Sequence, residues 1–127
     1  MSITVKDIAW ASGFLEGEGS FIVVNGKNKP VRCIATQKQR EPIDRLHRFF
    51  GGRVYAYEGR SPLSKSVMWR WVACESLAAQ VAMTVCCLMS PDRQAQIKRM
   101  LDAWKSKKAR PNMVGRSSYP KVRTNAI

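Results

Sequence analysis

The chain has 127 residues, with 22 Lys and Arg against 9 Asp and Glu, so its formal charge is +13. That length suits one domain burying roughly two-thirds of its unfolded surface, and a hydrophobic content of 45% excludes intrinsic disorder. The charge calls for an anionic partner, nucleic acid first, because clustered cations release condensed counterions when they neutralise phosphates.

No apolar run approaches the ~20 residues of a membrane span. The best stretch, 77–89, is interrupted by Gln80 and Thr84. Lys6 and Asp7 break the N-terminus before a signal-peptide core develops. Cys33, Cys74, Cys86 and Cys87 contain no C-x2-C pair, so a structural zinc site has no support. Lying among apolar residues, they read as small buried side chains of a reducing, intracellular setting. His47, the single histidine, reads as an ordinary surface or satisfied residue.

In chain order, Thr4 and Asp7 resemble a capping box opening an apolar helix that Gly17 and Gly19 stop near Glu18. Residues 20–25 and 31–38 read as the strands of a hairpin, with a turn over 26–30. Pro42 opens a second helix through Ile43, Leu46, Phe49 and Phe50, closed by Gly51 and Gly52. A second hairpin pairs 53–58 with 67–73 around a 59–66 loop. A third helix spans 77–88, and Ser90, Pro91 and Asp92 start a fourth that runs to Trp104. The order is α-β-β-α-β-β-α-α, an α+β domain over 1–104. The remainder, 105–127, holds seven Lys or Arg and no acid, and reads as a mobile basic tail.

The first helix carries the informative pattern. Ala9, Gly13 and Gly17 recur every four residues as one small-residue stripe, with Ile8, Trp10, Ala11, Phe14 and Leu15 forming a large apolar face on the other side. Such a stripe lets a second helix backbone approach closely. The natural partner is the same helix of a second subunit across a two-fold axis. That contact brings both copies of Glu16 and Glu18 together, which makes sense on a chain of charge +13 when divalent cations and phosphates lie between them.

Residues 12–21 end in Glu16-Gly17-Glu18-Gly19-Ser20-Phe21, an acid-Gly-acid-Gly-Ser-aromatic run feeding a hairpin. The segment resembles the signature of LAGLIDADG homing endonucleases, and the similarity in element order extends over roughly residues 5–104. The resemblance implies an αββαββα fold with a four-stranded antiparallel DNA-binding sheet and the motif helix at a homodimer interface. Ala9, Gly13, Glu16 and Gly17 then belong to that interface. A single motif in a short chain resembles the family's homodimeric members, which bind near-palindromic double-stranded DNA.

By the same resemblance Glu18 is the metal-binding acid, with the Gly17 carbonyl as a further ligand. Gln37 orders water around the attacking hydroxide, and Arg40 is the basic partner, with Lys38 as the alternative. The implied cofactor is Mg²⁺ or Mn²⁺, with Ca²⁺ binding without supporting cleavage, and no small-molecule cofactor. The reaction is hydrolysis of both strands, leaving short 3′ overhangs. The chain departs from the family at the start of the last helix, where several members carry a lysine and Pro91 stands here, with Arg93 close by.

Strand alternation separates a core face from a DNA face. Val54, Ala56, Trp69 and Trp71 point to the core, leaving Arg53, Tyr55, Tyr57, Met68, Arg70 and Val72 outside. On the first hairpin Arg32 and Lys38 share the outer face, with Ser20 at its start and Lys27 and Lys29 in its turn. Ile22, Val24 and Ile34 lie on that face too, an apolar patch suited to thymine methyls. Two other readings stay open: a catalytically weakened relative acting as a DNA-binding regulator or an intron RNA maturase, and an unrelated basic RNA-binding protein of ribosomal type.

Overall fold

The computed structural model describes residues 2–26, 28–58 and 67–109. The elements are α1 (Val5–Glu18), β1 (Gly19–Val23), β2 (Val31–Gln37), α2 (Arg40–Phe50), β3 (Arg53–Glu58), β4 (Val67–Cys74), α3 (Ser76–Val85), a 3-10 turn (Cys86–Leu88) and α4 (Pro91–Ala109). Thr4 caps α1 as its spacing requires: Asp7 N–H donates to Thr4 Oγ1 at 3.1 Å, and Thr4 N–H to Asp7 Oδ2 at 3.0 Å. The third helix is shorter than the sequence pattern implies, because its last residues tighten into the 3-10 turn.

The four strands form one antiparallel sheet in the order β1-β2-β4-β3. The helices gather on one of its faces around a single core. Leu15 of α1, Ile43 and Leu46 of α2, Val81 and Val85 of α3, and Ile97 and Met100 of α4 meet Cys33, Trp71 and Ala73 of the sheet there. Trp71 is fully buried, and its indole N–H donates to the Gly51 carbonyl at 2.7 Å. Burial pushes the Cys33 thiol above its ordinary range, so this cysteine is packing and not a nucleophile. His47 is exposed, as is Cys87. No helix among the described residues is long and apolar enough to cross a membrane.

Three expectations change. Helix α4 does not close at Trp104 but runs on through Lys105 to Ala109, because Lys107 folds back to ion-pair with Glu75 at the start of α3. The rest of the supposed tail, 110–127, and the 59–66 loop lie outside the described residues. Ala56, expected in the core, is exposed: β3 is an edge strand, and α2 is the helix that lies beside it. Val72, expected outside, is only 5% exposed, since it sits between its pairing partners Ile34 and Arg53.

Gly52 joins α2 to β3 at φ +90°, and a Cβ there would lie 2.7 Å from the Val72 carbonyl oxygen and 3.0 Å from Trp71 Nε1. Gly52→Ala should therefore destabilise the fold by about 2–4 kcal/mol, through a strained φ and a backbone clash, as urea unfolding would measure. An unchanged midpoint would show that this turn relaxes freely.

Candidate functional site

The site is built where α1 runs directly into β1. Glu18 is the last helical residue and Gly19 the first strand residue, with Gly19 N–H donating to the Leu15 carbonyl. A Cβ on Gly19 would lie 2.8 Å from both Leu15 Oand Leu15 Cδ2, so a side chain would push the helix end off the sheet. Gly19 pairs with Ala35 of β2, which sets Glu18 beside the end of β2 where Thr36 and Gln37 arrive. Glu18 is exposed and makes no hydrogen bond or ion pair among the described residues.

Beyond Asp7, the exposed positions of α1 are Ala9, Gly13, Gly17 and Glu18. Ala11, Ser12 and Leu15 are buried on the opposite side. Around Gly13 and Gly17 there is open space: an added Cβ would meet nothing within 4 Å. The Ser12 hydroxyl is satisfied by the Ile8 carbonyl at 2.7 Å. Trp10 stacks on Phe14, ring centroids 5.3 Å apart, and meets Phe49 of α2 edge-on.

Glu16 does not belong to that exposed stripe. Its carboxylate accepts from Ser90 N–H at 2.8 Å and Ser90 Oγ at 2.7 Å, while Arg93 Nε donates to the Glu16 carbonyl at 3.1 Å. Ser90 in turn accepts Arg93 N–H at 3.3 Å, capping α4. The Glu16 carboxylate is thus engaged within the chain, clamping the end of α1 to the start of α4. The Ser90 N–H first, then its hydroxyl, hold the Glu16 carboxyl below the ordinary carboxylate range. Arg93 is committed to this clamp and to Gln96 Oε1 at 3.0 Å. Pro91 is exposed at the first turn of α4.

Gln37 closes β2, paired with Trp69 of β4, and its Oε1 accepts Lys38 N–H at 2.8 Å. That hydrogen bond leaves the amide NH₂ unused among the described residues. Arg40 reaches the same end of the sheet, its guanidinium carbon 4.4 Å from the centroid of the Trp69 ring. It also ion-pairs with Asp44 at 3.1 Å, so much of its charge is already answered. Lys38 is exposed and has no acidic partner among the described residues.

The outer sheet face holds Ser20, Arg32, Arg53, Tyr55, Tyr57 and Arg70 together, as strand register requires. Ser20, Arg53 and Tyr55 are exposed, and Arg32, Tyr57 and Arg70 half-buried. Arg70 Nε donates to Thr36 Oγ1 at 3.3 Å, and its guanidinium carbon lies 3.9 Å from the Tyr57 ring centroid. Thr36 was not singled out in the sequence: its place opposite Arg70 depends on a register between strands more than thirty residues apart. Lys29 is exposed in the β1–β2 turn at φ +39°. Lys27 lies outside the described residues.

Compared with solved structures, the chain matches the homing endonuclease I-CvuI in complex with its target in the presence of 2 mM Ca, with a TM-score of 0.63 and 18% identity over 84% of this chain and 72% of that one. It matches the same enzyme in complex with the I-CreI target in the presence of 2 mM Mg, where the DNA is not cleaved, at a TM-score of 0.60 and 17% identity, with the same coverage. The chain has the homing-endonuclease fold. No family profile and no curated protein sequence matches it. At this identity the homing-endonuclease fold is carried by burial pattern and topology, not by shared sequence.

The clamp gives a prediction with a sign. A carboxyl whose pKa is lowered by folding contributes stability above its unfolded pKa and loses it as pH falls through the folded value. Glu16→Gln should lower Tm at neutral pH, and the gap to wild type should close as pH falls through the carboxylate range. A gap of constant size across that range in thermal melts would show that ionisation of Glu16 adds nothing.

Proposed function

We propose that the chain is a site-specific DNA endonuclease of the homing type, binding a long near-palindromic duplex as a homodimer and hydrolysing both strands with divalent metal. The observation that carries this reading is the exposed line Ala9, Gly13, Gly17 and Glu18: a helix flank open to a second helix, ending in an unpartnered carboxylate. The fold shared with DNA-bound I-CvuI supports it, as does a sheet face bearing uncompensated Arg and exposed Tyr.

The donor set suits Mg²⁺ or Mn²⁺. Among the described residues no three His, Cys, Asp or Glu cluster to enclose a metal. Mg²⁺ does not need such a cage: it is held by one or two carboxylates together with waters and substrate phosphates. Glu18, with the Gly17 carbonyl, would supply one chain's share of the ligands, the rest coming from a second copy and the DNA. When bound, the cation polarises the scissile phosphate and lowers the pKa of water. Gln37 has its amide NH₂ available to orient water at the same sheet end. Lys38, free of acidic partners, is better placed than Arg40 to answer charge developing on the phosphate, because Arg40 would first have to give up Asp44.

A weakened or non-cleaving DNA-binding relative is the second reading, favoured by one feature. Pro91 stands where the resemblance expects lysine, and the nearby Arg93 already donates to the Glu16 carbonyl and to Gln96.

Glu18→Gln should cut Mg²⁺-dependent nicking of a selected duplex by at least about a hundredfold while leaving affinity in Ca²⁺ unchanged. Equal cleavage by this variant would remove Glu18 from the metal site, and absence of cleavage in wild type would favour the second reading. Gly13→Leu should convert a sedimenting dimer to monomer, since it fills the open stripe without touching the chain's own core. A wild-type monomer on full-length duplex would contradict the two-fold arrangement.

A further inference from the structure

We propose that Arg70 is the residue that reads one guanine in each half-site, with Tyr57 and Thr36 as its positioning residues; this rests on the DNA-binding reading above. Arg70 sits in the middle of the outer face, directly opposite Thr36 on one side and Tyr55 on the other. It is inside the sheet, not at a turn, which aims it at a groove floor and not at the rim of phosphates. Two contacts then fix its long side chain. Thr36 Oγ1 accepts from Nε at 3.3 Å, and the Tyr57 ring lies under the guanidinium at 3.9 Å.

The chemistry of those partners decides what is left over. Arg40 is paired with Asp44, and Arg45 and Arg48 both with Glu41, so acids answer these three helix arginines. Arg70 is held by a hydroxyl and an aromatic face, both neutral, and pairs with no acid among the described residues. Its Nε is used and one face is stacked; the free edge is the pair of terminal nitrogens. That fork matches two acceptors side by side, which in the major groove only guanine presents, at N7 and O6. Ordering the side chain before DNA arrives also removes rotamer entropy that binding would otherwise have to overcome.

The test uses the full chain, Ca²⁺ and fixed salt. Target duplexes are selected from a randomised library, and each fixed guanine is replaced in turn by 7-deazaguanine, which lacks only the N7 acceptor. One guanine per half-site should weaken wild-type binding roughly tenfold when replaced, and the same replacement should have no effect in Arg70→Ala. Arg70→Lys, which keeps the charge and the stem but lacks the planar fork, should bind the selected duplex more weakly, with a smaller sensitivity to N7 and an unchanged salt slope. Tyr57→Leu and Thr36→Val should retain part of that sensitivity with an unchanged salt dependence, which a merely structural loss would not produce. Thermal melts establish that each variant is folded.

Overturning results are distinct. Uniform weakening of all sequences by Arg70→Ala, with the salt slope reduced by about one, would assign Arg70 to a phosphate. Equal 7-deazaguanine effects in wild type and Arg70→Ala would assign the guanine to another residue. Failure of wild type to select any duplex would instead overturn the DNA-binding reading itself.

Discussion

Beside Leu15 there is room at position 19 for a hydrogen and nothing larger, and this constraint fixes the layout of the site. It lets α1 end flush against the sheet, so the chain passes from helix to strand within one residue. Glu18 is thereby set at the seam between helix and sheet, and the pairing of Gly19 with Ala35 brings the end of β2 alongside. The clamp from Glu16 to Ser90 and Arg93 holds the same helix end from the other side. With its tip fixed twice, α1 can leave its small-residue flank uncovered without swinging away from the core. The metal-holding role proposed for Glu18 would draw on this support, because a small misplacement costs rate steeply.

Charge is distributed as unevenly as structure. On the helices, Arg40, Arg45 and Lys98 are matched one turn away by Asp44, Glu41 and Asp102, and Arg48 reaches Glu41 two turns away. Exposed pairs of this sort add little stability, but they quiet the local field. The outer sheet face has no such acids beside Arg53 and Arg70 in register, since Val72, Tyr55 and Thr36 are their cross-strand neighbours. Among the described residues, the outer sheet face thus presents cations whose cross-strand neighbours leave them unneutralised.

The local signals of the sequence were reliable where the physics is local. The capping box of α1, its stop at Gly19 and the limits of β3 are set by neighbours within a few residues. The outer-face arginines and tyrosines follow from alternation alone. Other features depend on distant partners and leave no local trace. Glu16 finds Ser90 across 74 positions, so its partner could not be read from the spacing of the motif. Helix α4 outlasts its apolar pattern because Glu75 meets Lys107. Burial opposes ionisation of Glu75, yet Lys107, the Val31 N–H and Arg32 together outweigh it and hold the carboxyl below its ordinary range. The pairing of Arg40 with Asp44, by contrast, is local, one helical turn apart.

In the proposed dimer, two copies of α1 meet along Ala9, Gly13 and Gly17 and carry their terminal acids to one duplex. A crystal structure of the chain with a selected near-palindromic duplex and Ca²⁺ tests it most directly. The account predicts two chains about a two-fold axis, with Gly13 backbones in contact and calcium at each Glu18. An α1 flank facing solvent, or Glu18 turned away from the DNA with calcium elsewhere, would contradict it.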